Sequence, residues 1–383
     1  MITDIYNERS KPFDQGRAWV EIDLDALSYN ARLINSHLDS GCELMAVVKA
    51  DAYGHGAVQA AKRLQNEGVK SFAVATVSEG VQLRENGLDG DILVMNYTHP
   101  ANALYLHNFR LKQLIVDGDY AKALNETGYK IDVHLSIDTG MHREGIDMSK
   151  LDEIESVFKH NNLNVEGMST HFASSDSLNP NDIAFTEMQI QRFNTTVKTF
   201  RDKGYDVGKL HTQATYGLLN FNQSQCDYAR IGIALYGVLS HDEITNTPLA
   251  LRPVMSVKAI IAQIRWIDAG ESVSYGRTYI ADKPIRLATV CIGYADGVPR
   301  SMSGNNGECL LHGKRVPILG RICMDLLMID VSTVDSAETG DVVTLIGSDG
   351  DEEIRCEDVA SAAGTITNEV VCRMGSRLPR IYR

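Results

Sequence analysis

Lys49 stands at the end of an apolar run. In the stretch AVVKADAYGHG, residues 46–56, one ammonium-bearing side chain follows LMAVV and precedes small, polar and glycine residues. Such a run predicts a buried strand, and a lysine placed where the strand stops carries its amine on a flexible stem into whatever lies beyond the strand end. Taken as VVKA alone, the lysine reads as an edge residue that snorkels to water. The elements around it give it a different setting.

From about residue 44 to 240, short β-rich runs alternate with amphipathic stretches. The predicted strands are LMAVV, FAVAT, DILVM, LKQLIV, VHLSI, VEGMST, GKLHT and RIGIAL, and helical spacing runs through AVQAAKRLQNEG, SEGVQLRENG and NDIAFTEMQIQRFNTTVKTFRDKG. Ser78, followed by Glu79 and Gly80, marks a helix start, while Gly68, Gly87 and Gly204 mark stops. Roughly eight strand-then-helix units close a parallel barrel, although an open doubly wound sheet accepts the same pattern. The barrel is the preferred reading. Catalytic residues of a barrel come from the C-terminal ends of different strands, which is the place Lys49 holds.

Beyond about residue 250 the pattern changes to SVKAIIAQIRWI, IRLATVCIGY, ECLLHGKRVPILG, MDLLMIDVS and GDVVTLIG, strands divided by Gly- and Asp-containing turns, with CEDVASAAG as the one obvious helix. The expected fold is therefore α/β: a lead-in at 1–15, a (β/α)8 TIM-like barrel over 16–250, and a mostly β domain over 251–383. A strand near 17–24 is placed to pack with the second domain.

Composition narrows the function classes. At 383 residues the chain has room for two domains, and 44% hydrophobic with 23% charged residues is the balance of an ordinary globular protein. A formal net charge of -13 argues against nucleic acid as the main partner. No run is long and apolar enough to span a bilayer, and the start MITDIYNERSKPFDQGR lacks the apolar centre of a signal peptide. Seven cysteines without a CxxC or Cys/His spacing indicate neither a disulfide framework nor a metal site, so reduced thiols in the cytoplasm are expected.

The motifs are more specific than the composition. VVKADAYGHG resembles the cofactor-lysine motif of the alanine racemases, which use pyridoxal 5'-phosphate (PLP). GRAWVEIDLDALSYN at 16–30, IDTGMHREG at 137–145, THF at 170–172, ARIGIALYG at 229–237, VSYGRTY at 273–279, IGYADGVPR at 292–300 and GRICMD at 320–325 follow in that family's order. The resemblance runs from about residue 16 to the end of the chain.

The resemblance implies roles that residue chemistry can meet. Lys49 would form the Schiff base with PLP and act as one of two acid/base catalysts, a task for an amine whose pKa a site can depress. Tyr53 would reach the cofactor phosphate, with Thr215, Gly232 and Ile233 also holding it; glycine allows close approach and amides donate to an anion. Arg230 would face the pyridine nitrogen, where a permanent cation keeps that nitrogen unprotonated and weakens the ring as an electron sink. His171 and Arg143 would support Arg230 and the cofactor's phenolic oxygen respectively. The second acid/base group would be Tyr275, supplied by the other subunit of a homodimer with a shared active site. A free phenol titrates near 10, so that role needs a cationic, partly dry setting. Met324, also from the partner, would serve the substrate carboxylate region, and Tyr294 would line the entrance.

Three departures bear on mechanism and substrate. Ser136 stands where many relatives carry a lysine that can be carbamylated, so Arg143 must be oriented by other groups or by a small anion such as chloride. The segment HTQAT puts Ala214 where the family has asparagine, with Thr215 keeping the hydroxyl. TITNEVVC puts Asn368 where a tyrosine is usual, which opens space for a larger side chain and offers both a donor and an acceptor. This last feature, with the IDTGMH variant, is similar to the serine/alanine racemases of glycopeptide (vancomycin) resistance, which carry an added N-terminal membrane domain. On that resemblance the chain is a cytoplasmic catalytic part that racemises serine, alanine or both. An ordinary alanine racemase without serine preference, and a PLP-dependent decarboxylase of the same barrel class, are the alternatives.

Overall fold

The computed structural model describes residues 16–221, 226–240, 245–304 and 306–383; the lead-in Met1–Gln15 lies outside the described residues. After β1 (Ala18–Ile22), the chain forms β2 (Glu43–Val47), β3 (Ser71–Val74), β4 (Asp91–Val94), β5 (Lys112–Ile115), β6 (Ile131–Asp138), β7 (Ile146–Asp147), β8 (Leu163–Ser169), β9 (Lys209–His211) and β10 (Tyr228–Ile231). Eight of these pair in parallel in the order β10-β2-β3-β4-β5-β6-β8-β9, with β7 paired to β6 off that path. The ends of the order also meet. Asp227 N–H donates to Leu210 C=O at 2.7 Å and Arg230 N–H to Gln213 C=O at 3.0 Å, which closes the sheet as a TIM-like barrel.

The strand β2 shows why its sequence reads as a continuous apolar run. Met45 and Val47 pack inside the barrel with Ala73, Leu93, Leu114 and Tyr228, while Leu44, Ala46 and Val48 pack outward into the larger core under the helices. Both faces are buried, so no polar alternation survives. The helix Val77–Glu85 starts from Thr76, whose hydroxyl accepts from Glu79 N–H, so the cap is Thr76 and not Ser78 as the sequence suggested. RIGIAL is also shorter as a strand than expected. It ends at Ile231, and Ile233–Tyr236 form a tight 3-10 turn after Gly232.

The remaining strands are β11 (Met255–Ile267), β12 (Ser272–Val273), β13 (Tyr279–Ile280), β14 (Ile285–Val290), β15 (Glu308–Leu311), β16 (Lys314–Leu319), β17 (Leu327–Asp330), β18 (Val342–Asp349), β19 (Glu352–Ile354) and β20 (Arg380–Tyr382). Their sheet runs β19-β18-β15-β16-β17-β14-β11-β1-β20, and β18 also pairs with β11, so six antiparallel strands form a ring. Register shifts in β11 against both β14 and β18 bend it enough to serve two neighbours. β1 joins this sheet, antiparallel to β11 and parallel to β20. The described residues therefore run from the second sheet into the barrel through helix Leu24–Asn35.

Among the described residues two α-helices stand in the β region where the sequence suggested one. Cys356–Ala363 was expected; Thr367–Arg373 was not, being a seven-residue helix that follows Gly364 and opens on β-branched residues. Thr367 is fully buried, and its hydroxyl donates to Leu239 C=O at 2.7 Å, which pins this helix over the C-terminal end of the barrel. No helix among the described residues is long and apolar enough to cross a membrane.

Candidate active site

A cavity of about 610 Å³ opens at the C-terminal end of the barrel strands. Lys49, Tyr53, Arg143 and His171 line it, together with Thr215, Arg230, Gly232, Ile233 and Asn368. Nine sequence-predicted residues, scattered over more than three hundred positions, thus meet in one space. Ser136 lines it as well.

Lys49 follows directly on β2. Burial, and secondarily the Arg143 guanidinium, push its ammonium below the usual lysine range, opposed by Glu144 and Glu79. A depressed amine is the form that can take up a proton. The backbone beyond it is unusual: Ala50, Asp51, Ala52 and Tyr53 have φ of 52°, 53°, 53° and 53°. This is a left-handed turn, which costs an L-residue roughly 1–2 kcal/mol per position.

Arg230 is 8% exposed at the end of β10. One terminal nitrogen is 2.8 Å from His211 Nδ1, and the other donates to Thr170 C=O at 2.8 Å, with His171 Nδ1 further off at 3.4 Å. Burial lowers the guanidinium to about 10, so it stays charged at neutral pH. Because a guanidinium only donates, His211 Nδ1 accepts and its Nε2–H faces His134 Nδ1 at 2.7 Å. Burial and then Arg230 hold His211 well below its ordinary value, which keeps this chain of rings neutral. His211 is a second, closer partner of Arg230 beside the expected His171, and sequence reasoning missed it. It lay in view in HTQAT, but only the closing of β9 onto β10 brings it to Arg230.

At the other end of the cavity Gly232 approaches Tyr53 closely. A Cβ at Gly232 would lie 2.5 Å from Tyr53 Oη, so only glycine leaves that hydroxyl its place. Thr215 opens helix Thr215–Asn220 and Ile233 opens the turn Ile233–Tyr236. Neither start carries a side-chain cap, and the first amides of such segments have no partner within them. Ala214, the departure in HTQAT, is the uncapped N-terminal position. Amides beside a tyrosine hydroxyl suit a phosphate. The buried hydroxyl of Thr212, which also borders the cavity, has no protein partner. A lysine amine, an uncapped amide cradle and a buried guanidinium are a donor set that PLP fits.

Arg143 is half exposed and lies 3.8 Å from Glu144, its acidic neighbour in sequence. Ser240 Oγ donates to Asn368 Oδ1 at 2.6 Å. That contact spans 128 positions and was invisible in the sequence.

Tyr275, Tyr294 and Met324 are not in the cavity; they are 70%, 40% and 53% exposed. The structure does bring them to one loop cluster of the β region. Tyr294 N–H donates to Cys323 C=O at 3.0 Å, Ala295 N–H to Met324 C=O at 3.0 Å, and Ser274 Oγ to Arg321 C=O at 2.6 Å. Behind them the fully buried Asp296 accepts from Gly293 N–H at 3.0 Å and pairs with Arg17 at 2.5 Å. Among the described residues no group of three or more His, Cys, Asp or Glu could hold a metal ion.

Comparison with known proteins agrees with this geometry. The family model described as "Alanine racemase, N-terminal domain" matches residues 22–240, and "Alanine racemase, C-terminal domain" matches 254–382. An amino-acid racemase of Enterococcus faecalis is 41% identical over 371 residues, covering 97% of this chain and 52% of its own length, so the chain spans about half of that relative. An alanine racemase of Geobacter sp. (strain M21) is 39% identical over 373 residues, covering 95% of this chain and 98% of the relative. The crystal structure of alanine racemase from Bacillus anthracis with bound L-Ala-P superposes with a TM-score of 0.90 at 33% identity, covering 96% of this chain and 95% of that one. From its two matched domains, its barrel and its cavity, the chain belongs to the alanine racemase family of PLP-dependent amino-acid racemases.

Proposed function

We propose that the chain interconverts the L- and D-forms of both serine and alanine by a two-base mechanism in a homodimer. PLP, when bound, would supply an electron-withdrawing ring that acidifies the α-hydrogen of the amino acid. Lys49 Nζ serves one face of the α-carbon, and its depressed basicity suits taking and returning a proton there. Tyr275 Oη of the partner subunit serves the opposite face. Arg230 would set a fixed positive charge against the ring nitrogen, and its neutral histidine partners would supply no proton to it. Tyr53, Thr215, Gly232 and Ile233 would hold the phosphate and Arg143 the phenolic side, while Met324 of the partner subunit would serve the substrate carboxylate region and Tyr294 would line the entrance. Three large side chains exposed in one loop cluster support a surface that a second copy covers. The chain is read as a lead-in, a barrel from 16 to 250 whose first strand packs with the second domain, and a β domain from 251, working in the cytoplasm.

The observation that carries the serine reading is the Ser240–Asn368 bond. Ser240 occupies the Asn368 carbonyl oxygen, which leaves the amide N–H2 group to donate to a hydroxymethyl oxygen. One such bond is worth about 0.5–1.5 kcal/mol, a factor of roughly two to ten between substrates. The test is chiral chromatography of product from L-serine and L-alanine with wild type and Asn368→Tyr. D-isomer from both substrates, with the serine-to-alanine ratio of kcat/KM falling in the variant, is expected. An unchanged ratio would end the account of Asn368, and carbon dioxide without D-isomer would end the racemase mechanism.

A further inference from the structure

The left-handed turn after Lys49 is held from outside by one carboxylate. A run of four non-glycine residues at positive φ persists only where its surroundings over-determine it. Part of the hold is internal: Ala52 N–H donates to Val48 C=O at 2.9 Å, Gly54 N–H to Ala50 C=O at 3.0 Å, and Ala57 N–H to the Asp51 carboxylate at 2.7 Å. The first residue of the turn is tied elsewhere. Ala50 N–H donates to Glu79 Oε1 at 2.7 Å. Glu79 belongs to helix Val77–Glu85, and its other oxygen accepts from Ala75 N–H at 2.7 Å and Thr76 N–H at 3.1 Å. These amides follow β2 and β3, neighbours in register at Val47 and Ala73.

We propose that Glu79 is a positioning residue for Lys49: its carboxylate fastens the start of the left-handed turn to the end of β3 and so fixes the backbone from which the amine is aimed. The proposal rests on the reading of Lys49 as the cofactor lysine. Only an ionised carboxylate suits the position, because both oxygens must accept. A glutamine keeps one acceptor oxygen; two amides, Ala75 and Thr76, converge on one side against the single Ala50 N–H on the other, so its N–H2 faces Ala50 and that bond is lost. The competing explanation is that Glu79 merely completes the cap of its own helix with Thr76, whose hydroxyl accepts from Glu79 N–H at 3.3 Å.

Two substitutions separate these roles. Thr76→Ala removes half of the cap and leaves Ala50 untouched, whereas Glu79→Gln breaks the tie to the turn. For each holoenzyme, kcat and KM for L-alanine are measured with the melting temperature, and PLP linkage to Lys49 is quantified by borohydride reduction and peptide mass. Glu79→Gln should lower kcat about 10-fold with KM within about two-fold, and slow PLP capture by the apoprotein, as expected for a lost charge-assisted bond outside the substrate site. Thr76→Ala should leave kcat within about two-fold at a similar fall in melting temperature. Adding Ala50→Gly to Glu79→Gln should recover part of kcat, since glycine adopts positive φ without the Cβ penalty, and this double variant replaces the single one if that fails to fold. Wild-type kcat in Glu79→Gln, or an equal loss in Thr76→Ala, overturns the proposal. Wild type that links no PLP at Lys49 would instead overturn the underlying reading of the site.

Discussion

Gly232→Ala tests the phosphate end of the cavity by the addition of one methyl group. Gly232 has φ of -112° and ψ of -95°, so a side chain meets no left-handed penalty there, but this ψ lies outside the favoured regions and its cost adds to the steric effect. The added Cβ would lie 2.5 Å from Tyr53 Oη and 3.1 Å from its Cζ, well inside the roughly 3.5–4.0 Å of ordinary contact. The tyrosine has little freedom to yield. Its ring rests against Tyr236 at 5.1 Å between centroids, and Tyr236 is 1% exposed with its hydroxyl bonded to Val47 C=O at 2.9 Å. The hydroxyl must therefore leave its position. If it donates to the cofactor phosphate, a hydrogen bond to a charged group is lost, about 1.5–3 kcal/mol or 10- to 150-fold in Kd. Overpacking would also cost roughly 1–3 kcal/mol of stability. The assay is titration of apoprotein with PLP by absorbance, alongside Tyr53→Phe, which removes only the hydroxyl. Gly232→Ala should weaken binding at least as much as Tyr53→Phe, and the double variant should be little worse than either. Unchanged PLP affinity in a folded Gly232→Ala protein would refute the assignment.

Two further predictions concern the buried histidines and the shared site. Burial pushes His55 down to about 4 and His134 to about 3, so both are neutral in the fold while the unfolded chain protonates near 6.5. The unfolded state then binds more protons between those values. The stability these groups allow is complete above about pH 6.5 and is lost toward pH 4, at up to about 1.4 kcal/mol per pH unit for each ring. Melting temperature should fall from pH 7 to pH 5 more gently in His134→Asn than in wild type, and parallel curves would refute the account. Lys49→Ala and Tyr275→Phe should each be inactive alone yet recover about a quarter of wild-type activity when mixed through subunit exchange, because one site in each hybrid dimer is complete. No recovery in demonstrated hybrids would count against a site shared between subunits.

Strands were readable where burial left a simple pattern. β2 is buried on both faces, and LMAVV announces that without reference to any partner. Boundaries were harder. Thr76 took the cap from Ser78 because its hydroxyl reaches Glu79 N–H, a matter of one helical turn that composition does not decide. Helix Thr367–Arg373 was missed since seven residues with β-branched starts carry no helical signature; its hold on the barrel through Thr367 makes it form.

The sequence by itself determined the alternation that builds a barrel, the lysine at the end of its strand, and the ordered motifs whose residues meet in the cavity. Those are properties of periodicity, residue type and position, all of which are local. Only the tertiary structure decided which polar groups satisfy one another across the chain. It set His211 beside His171 against Arg230, Ser240 on Asn368 and Glu79 on Ala50, and it paired β18 with β11 to close the second sheet into a ring. Each is a choice of partner for a buried or strained group. Such partners are fixed by strand register and sheet closure, which bring together residues that no local pattern relates.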